Sequence, residues 1–427
     1  MRRSSYAWSV FALPISFVVS CVLGSVATGC AVSRGDGEPS ELDRHEHPDG
    51  GPSAPGPKDT GPGGIDPGGP GGLDADPGSK PKLDPTKDND GDGYLFADDC
   101  NDSDPLVNPG AFEVAGDSVD NDCNGKVDEV DSCDTGLAMT SGAGIDFAKS
   151  LGLCRQTTEG ATGKARTWGV ISATIETSDG KGAPMPMQYG IQGAWGTAVK
   201  PKHGGSMVVL STGSARTPSQ AGYFKPRSYD PSTTNSNAAP SGWPINSAGC
   251  PDPTDAMAND SVVLKLKLRV PTNAKSFSYD FDFYSSEYIT FVCSQYNDSY
   301  VALLQTKVPL AAKNAGNISF DKKGDPVNVN SGFFEACTPG SKSGKSFACS
   351  LGRGDLAGTG YDLDDKEDGA TGWLETKASV QPGEEITISY MIWNTGDHLL
   401  QSAVLLDNWR WAAEGTTGTG PTTDRPK

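Results

Sequence analysis

The stretch SVVLKLKLRVPTNAKSFSYDFDFYS, residues 261–285, decides the fold. Its first half alternates Leu264, Leu266 and Leu268 with basic residues, and its second half alternates aromatic residues with Ser and Asp. Because successive side chains of a strand point to opposite faces, this alternation predicts two strands, each with one buried face. The same pattern recurs in ITISYMI, residues 386–392, after a Pro-Gly turn signal. We therefore expect a sheet protein.

Helical periodicity is confined to a short segment near residues 144–151. Alternating runs separated by many Gly turns, without a strand–helix–strand rhythm, are typical of antiparallel β proteins. The sequence therefore predicts a mainly β chain whose large domain, residues 133–412, is a jelly-roll-like β-sandwich. About 280 residues are enough to bury a sizeable core. Residues 413–427 are rich in Gly, Thr and Pro and are predicted to form a disordered tail.

The N-terminus has the features of an export signal. Arg2 and Arg3 precede a mostly apolar stretch, residues 7–27, whose Ser and Pro suit a signal peptide better than a membrane span. Small residues then lead into Cys30, an arrangement that resembles a bacterial lipobox. We predict a lipoprotein signal peptide at residues 1–29 and lipidation of Cys30. The alternative is a cleaved signal peptide with incidental cysteines.

Residues 30–86 are dominated by Gly and Pro with scattered Asp. A segment of this composition cannot bury a core, so we predict a disordered tether between the anchor and the rest of the chain. The formal net charge of the chain is −19, which argues against nucleic acid or an anionic lipid surface as a partner. The predicted contact with a membrane is the N-terminal lipid anchor.

Ten cysteines are present, and eight remain if Cys30 is lipidated and Cys21, a second lipidation candidate, is removed with the signal peptide. An even number in an exported chain indicates disulfides, although eight cysteines can pair in many ways. Pairing of neighbours along the chain closes loops of sensible size. These pairs are Cys100–Cys123, Cys133–Cys154, Cys250–Cys293 and Cys337–Cys349. A zinc site is disfavoured, because the chain has no Cys-x-x-Cys pair.

Residues 87–132 form an Asp-rich module in which acidic residues occupy alternate positions of two loops. In an EF-type loop, oxygen ligands at every second residue surround one calcium ion, and Gly at position six permits the sharp turn. Gly93 and Gly125 occupy that position here. The predicted metal ligands are Asp88, Asp90, Asp92 and Asp99 in the first loop and Asp120, Asp122, Asn124, Asp128 and Asp131 in the second. The alternative is an acidic segment that is merely solvated.

The segments DNDGDGYLFADDCNDSDPLVNPGAFEV (88–114) and DSVDNDCNGKVDE (117–129) resemble the MopE-like metal-binding repeat of bacterial surface proteins. The resemblance implies copper, and it makes Cys100–Cys123 the natural pair, because Ala115 stands where the family usually has a third cysteine. The residues themselves favour calcium, since the module has no His or Met and carboxylates select hard cations. We predict calcium with copper as the alternative, and an affinity of about 10⁻⁴–10⁻³ M.

The segments FDFYSSEYITFVCSQYNDSYVALL (281–304) and GDHLLQSAVLLDNWRW (396–411) resemble the choice-of-anchor L domain of surface-attached bacterial proteins. The resemblance spans residues 133–412 and implies a β-sandwich carried on various anchors, with no general enzymatic activity. Asn394 and Gln401 stand where family sequences tend to have Asp, which weakens any metal site inherited there.

A second ligand or metal cluster is predicted where the two segments would meet at a sheet end. Its members are Glu287, Asn297, Asp298, Asp397 and Asp407. The alternative is that these are turn residues and a satisfied carboxylate. His398 adjoins Asp397, but no Gly-x-Ser-x-Gly motif accompanies it, so we predict that the protein is not an enzyme.

These features together predict a non-catalytic, calcium-stabilised lipoprotein of the bacterial cell envelope, at the outer membrane or cell surface. Its β-sandwich would serve adhesion or ligand binding, with a polysaccharide or a matrix protein as partner. Two alternatives remain open from the sequence. One is a secreted hydrolase acting on glycans, because acidic residues are plentiful. The other is a purely structural envelope protein.

Overall fold

A computed structural model describes residues 83–228, 235–245, 247–251, 253, 256–416, 418 and 420–426. The predicted signal peptide, Cys30 and all but the last four residues of the predicted tether lie outside these ranges. Within them, no helix is long and apolar enough to cross a membrane. The structure is mainly β, as predicted.

The helix α1 spans Gly144–Ser150, and short 3-10 turns lie at Gly163–Ala165, Ala312–Asn314 and Gly354–Leu356. The strands are β1 (Gly169–Glu176), β2 (Tyr189–Gln192), β3 (Met207–Ser211), β4 (Ser236–Ala238), β5 (Met257–Arg269), β6 (Ser276–Ser285), β7 (Ser299–Gln305), β8 (Val327–Asn328), β9 (Gly340–Lys342), β10 (Lys345–Phe347), β11 (Gly369–Ala370), β12 (Leu374–Ser379), β13 (Glu385–Asn394), β14 (Ser402–Ala412) and β15 (Thr422–Asp424).

Two antiparallel sheets form the sandwich. Sheet 1 has the order β1-β5-β13-β7-β8, with β4 also paired to β5. Sheet 2 has the order β15-β12-β6-β14-β3-β2, with β11 also paired to β6. The two strands recognised first in the sequence, β5 and β6, are thus central to opposite sheets. Their connection, residues 270–275, crosses from one sheet to the other.

The core between the sheets is built from the alternating apolar residues. Leu264, Leu266 and Leu268 of β5 are fully buried and pack with Phe281 and Phe283 of β6. The basic residues between the leucines are more exposed, as the alternation predicts for one-sided burial.

Strand β6 differs from the expectation of one buried face, because all of its residues are buried. Its second face carries Asp280, Asp282 and Tyr284. A second apolar cluster covers the Tyr284 side, where Trp195 and Tyr361 from long connections pack on sheet 2. Alternation shows only that the two faces of a strand differ, and it cannot reveal that distant loops cover the polar face as well.

The predicted tail is also partly ordered, which corrects the expectation of disorder over residues 413–427. Strand β15 pairs with the edge strand β12, and the hydroxyls of Thr423 and Thr376 lie 2.9 Å apart. Arg425 donates hydrogen bonds to the carbonyls of Phe333 and Thr371. An edge strand offers unpaired backbone groups, which gives this short polar segment a partner that composition does not show.

The Asp-rich module has no regular secondary structure and packs against the β5–β6 connection. Asn273 exchanges two hydrogen bonds with the backbone of Phe112, at 2.8 and 2.9 Å. Thr272 donates a hydrogen bond of 2.7 Å to Asn108. Gly110 permits this close docking, because a Cβ at that position would lie 2.9 Å from Cγ2 of Thr272. The module is therefore anchored on the sandwich by buried polar contacts.

Four disulfides join the eight cysteines of the described residues as neighbours along the chain, in the pairs predicted from loop size. One lies within the Asp-rich module, Cys100–Cys123, and one links the start of the sandwich domain, Cys133–Cys154.

Candidate metal centre and buried acidic groups

The first loop of the Asp-rich module gathers five carboxylates. Oxygen atoms of Asp88, Asp90 and Asp102 lie within 4.8 Å of one another, and so do those of Asp90, Asp92 and Asp99. Asp90 belongs to both groups, so the two groups form one continuous acidic cluster. All four ligands predicted for this loop are in it.

The local turn explains how the loop holds this shape. The Asp88 carboxylate accepts hydrogen bonds from the backbone N–H groups of Gly91 and Gly93, at 2.6 and 2.9 Å. Both glycines have positive φ, 85° and 98°, a conformation that costs other residues steric strain. The chain therefore curls around the carboxylate of Asp88 and presents the following Asp side chains to one side.

Several carboxylate oxygens in this cluster have no hydrogen-bond donor. The Oδ2 atoms of Asp90, Asp92 and Asp99 are shielded from solvent and unpartnered among the residues the structure describes. Burial, with added repulsion from neighbouring carboxylates, raises the pKa of Asp92 and of Asp99 to about 6. Buried like charges without donors are unfavourable unless a cation neutralises them. The arrangement therefore suits a bound metal ion.

Asp102 is the member that sequence reasoning missed. It is only 2% exposed, and its Oδ1 accepts a hydrogen bond of 2.9 Å from the backbone N–H of Asn89. The EF-type template ends at Asp99, so a ligand three residues further on has no place in it. The signal available in the sequence was the Asp-rich run that continues past Cys100.

The second loop brings together two of the predicted residues and one that was not predicted. Oxygen atoms of Glu113, Asp120 and Asp122 lie within 4.8 Å of one another. Asp120 repeats the role of Asp88, since its carboxylate accepts hydrogen bonds from the N–H groups of Asn124 and Gly125, at 3.0 and 2.9 Å. Glu113, which lies before the loop, was not predicted.

Among the residues predicted as ligands of the second loop, Asp128 and Asp131 lie outside this acidic group, and Asn124 makes a contact of its own. Asn124 donates a side-chain hydrogen bond to Glu129. The Asp128 carboxylate accepts a hydrogen bond of 2.7 Å from the Gly116 N–H, and Asp131 pairs with Arg155 at 2.8 Å. The spacing of Asp128 and Asp131 is that of an EF-type site. However, Gly116 and Arg155, which lie outside the loop, contact their carboxylates.

Arg155 of the sandwich domain is the main competitor. Its guanidinium contacts the carboxylates of Asp122, Glu129 and Asp131, and it lies 5.1 Å from the ring centre of Trp168. A protein cation thus already neutralises part of the second loop. In the first loop, by contrast, no described residue donates a hydrogen bond to the buried Oδ2 atoms of the carboxylates. Their negative charge therefore needs a cation from outside the described residues.

The donor set of the first loop selects a hard cation. All candidate ligand atoms there are carboxylate oxygens, and the nearby sulfurs of Cys100 and Cys123 are joined in a disulfide and cannot act as thiolate ligands. Residues 83–132 contain no His or Met. Calcium prefers oxygen ligands, whereas copper prefers nitrogen and sulfur, so the residues present fit calcium and do not fit copper.

The second predicted cluster is partly assembled at one end of the sandwich. The Glu287 carboxylate accepts a hydrogen bond of 2.9 Å from the N–H of Asp298, and the Ser402 hydroxyl donates one of 2.7 Å to Asp298. Burial raises the pKa of Glu287 to about 8, with a contribution from Asp397, and raises that of Asp298 as well. Asn297 adjoins this pair and is buried. Burial of the two carboxyls together therefore disfavours their charged forms.

Asp407 is not part of this cluster, which corrects the prediction. It lies further along β14, where its carboxylate accepts hydrogen bonds from the N–H groups of Lys202 and His203. Among the described residues, no group of three acidic side chains within 4.8 Å includes Glu287 or Asp298. The end of the sandwich therefore resembles a buried polar network more than a metal site.

Comparison with known families agrees with both parts of the structure. The model of the Cu-binding MopE metal-binding motif matches residues 99–129, which include most of the second loop and the end of the first. The choice-of-anchor L domain model matches residues 176–409, more than half of the chain. Searches among curated proteins and among solved structures returned no match. The chain belongs to the choice-of-anchor L domain family, as its sequence indicated.

Proposed function

We propose that the protein is displayed on the bacterial cell surface, where calcium in the first Asp loop stabilises a β-sandwich that binds an extracellular ligand. The family match and the metal-binding motif support a surface-associated protein. The single observation that carries the calcium proposal is the set of buried, donor-free oxygens of Asp90, Asp92 and Asp99. Lipid anchoring through Cys30 and an outer-membrane location belong to the same proposal.

A cleft between the Asp-rich module and the sandwich supports ligand binding. It encloses about 430 Å³ and is lined by three tryptophans together with charged side chains. The lining includes Trp168, Trp409, Trp411, Arg155 and Arg410. Aromatic and charged groups lining one concave surface are typical of sites that orient a polar ligand against apolar contacts. We propose a polysaccharide segment as that ligand.

The calcium proposal is tested by titrating the full chain with calcium after dialysis against a chelator. We expect calcium to raise the melting temperature of the wild type, with a midpoint of about 10⁻⁴–10⁻³ M. Asp92→Asn should abolish that rise, while Asp117→Asn, an exposed position outside both acidic clusters, should keep it. Metal analysis that finds copper and no calcium would overturn the proposal.

Ligand binding is tested by retention of the calcium-loaded chain on a panel of immobilised polysaccharides. Trp411→Ala should lose retention, because Trp411 lines the cleft. Trp373→Ala is the matched control, since Trp373 packs on the other apolar cluster. Equal retention of the two variants, or none by the wild type, would contradict the polysaccharide proposal.

A further inference from the structure

His398 contacts residues from two other parts of the chain. It lies on the loop between β13 and β14, and its side chain is 24% exposed. Its Nδ1 is 2.9 Å from Oδ2 of Asp260, and its Nε2 is 3.3 Å from Oγ of Ser236. One ring nitrogen thus faces a carboxylate and the other faces a hydroxyl. The sequence had suggested a different partner, Asp397.

Asp260 is well placed to orient the imidazole. It is fully buried within β5, and its positive φ of 51° turns it out of the regular strand. Its Oδ1 accepts a hydrogen bond of 3.2 Å from the N–H of Asn235, and its Oδ2 accepts one of 3.3 Å from the Asn394 amide. These donors hold the carboxylate in one orientation. A carboxylate bonded to Nδ1–H keeps the Nε2 lone pair directed at the hydroxyl.

Ser236 begins the short strand β4 and is exposed. Its Oγ also donates a hydrogen bond of 2.7 Å to Oδ1 of Asn259. The oxygen and nitrogen of an amide exchange places on a 180° flip, after which Asn259 would donate to Oγ. The hydroxyl proton is then free to be donated to His398.

The backbone of β4 offers a donor next to this oxygen. Two backbone hydrogen bonds flank it. The N–H of Asp260 donates to the carbonyl of Asn235 at 2.7 Å, and the N–H of Ala239 donates to the carbonyl of Ala256 at 2.9 Å. Because bonding directions alternate along an antiparallel strand, the N–H of Ser236 faces away from β5. An N–H on the nucleophile itself is a standard donor to the oxyanion of acyl transfer.

We propose that Ser236, His398 and Asp260 form a nucleophile, general base and orienting carboxylate that hydrolyse carboxylic esters with small acyl groups. Ser236 is exposed and the His398 side chain is 24% exposed, so a small acyl group can approach both from solvent. An ester is favoured over an amide because its alkoxide leaves more readily. This activity goes beyond the proposed display and binding role and does not depend on it.

The reaction balances with water as the second reactant. The Ser236 oxygen bonds to the ester carbonyl carbon while its proton moves to Nε2 of His398. The carbon–alkoxy bond then breaks, and the departing alcohol takes that proton. Water next adds to the acyl carbon and gives its proton to Nε2. The bond to Ser236 breaks, the serine regains the proton, and a carboxylic acid is released.

The test uses the full chain with a fluorophosphonate probe and with 4-nitrophenyl acetate. We expect the probe to label Ser236, and Ser236→Ala to lose both labelling and at least about 100-fold of the hydrolysis rate. His398→Gln should lose both in the same way. Ser346→Ala is the matched control, because Ser346 is likewise exposed in a short strand, and it should behave as the wild type.

The other role for these contacts is structural, with the His398–Asp260 pair fastening the loop to β5. That role predicts that Ser236→Ala melts at the wild-type temperature and leaves labelling and hydrolysis unchanged. This result, or a folded wild type that the probe does not label, would overturn the proposal. Calcium binding and polysaccharide binding are measured in separate experiments. A negative result in either experiment therefore does not affect the test of ester hydrolysis.

Discussion

Replacing Glu287 with glutamine should stabilise the protein at pH 8 and have little effect at pH 5. Glu287 is 2% exposed, and burial raises the pKa of its carboxyl to about 8 from an ordinary value near 4.5. A carboxyl with a raised folded-state pKa contributes stability below its unfolded pKa, and that contribution is lost as pH rises through the folded pKa. The glutamine side chain is neutral throughout, so the variant escapes this loss.

The size of this change in stability follows from the width of the pH interval between the unfolded-state and folded-state pKa values of Glu287. Between pH 5 and pH 8 the unfolded chain carries Glu287 mostly ionised, while the folded chain keeps it mostly protonated. At about 1.36 kcal/mol per pH unit, the wild type loses roughly 3–4 kcal/mol over this window through this one group. Removing the charge next to Asp298, whose pKa is also raised, acts in the same direction.

The assay is thermal unfolding of wild type and Glu287→Gln at pH 5 and pH 8, at one calcium concentration. For the roughly 330 residues that the structure describes, 3 kcal/mol corresponds to roughly 4 °C. Between pH 5 and pH 8 the melting temperature of the variant should therefore fall by about 4 °C less than that of the wild type. Glu414→Gln is the control, because Glu414 is exposed. If Glu287→Gln and the wild type lose the same melting temperature between the two pH values, Glu287 is not buried in the way described.

Other perturbations test the packing. Arg155→Ala should lower the free energy of unfolding by about 3 kcal/mol in urea, because Asp122 would be left buried without its cation; a loss below about 1 kcal/mol would show that the pair is dispensable. Cys250→Ser with Cys293→Ser opens a loop of 43 residues and should cost about 3–4 kcal/mol, measured as a lower urea midpoint. Gly144→Ala should lower the melting temperature, because its Cβ would lie 2.2 Å from a backbone carbonyl oxygen of β1. An unchanged melting temperature would argue against that contact.

Most of the fold could be predicted from alternation along the chain. The runs in β5 and β13 form adjacent strands of sheet 1, with Ile388 opposite Leu266. What alternation could not predict was the covering of sheet 2. Asp282 is fully buried because segments around Trp195 and Tyr361 pack over that sheet, and those segments carry no periodic signal.

The candidate metal centre likewise has one part that the sequence predicts and one part that depends on tertiary contacts. The candidate ligands Asp88, Asp90, Asp92 and Asp99 follow from spacing within one loop, so the sequence alone predicts that they lie together. In the second loop the same spacing fails at Asp128 and Asp131, because Arg155 and backbone groups outside the loop make the competing contacts. A local template describes a local site only where distant residues do not compete for its ligands.

The sequence by itself determined that the chain is mainly β and located a candidate metal-binding loop, because strand periodicity and ligand spacing are properties of neighbouring residues. The family was indicated by resemblance and shown by the match over residues 176–409. Only the tertiary structure decided which polar groups meet. Ser236 and His398 are 162 residues apart and Asp260 and His398 are 138 apart, yet strand pairing brings all three into hydrogen-bonding distance. Contacts between residues so far apart in the sequence depend on the register of the strands and on the order in which the strands are connected. No local sequence pattern encodes either of these.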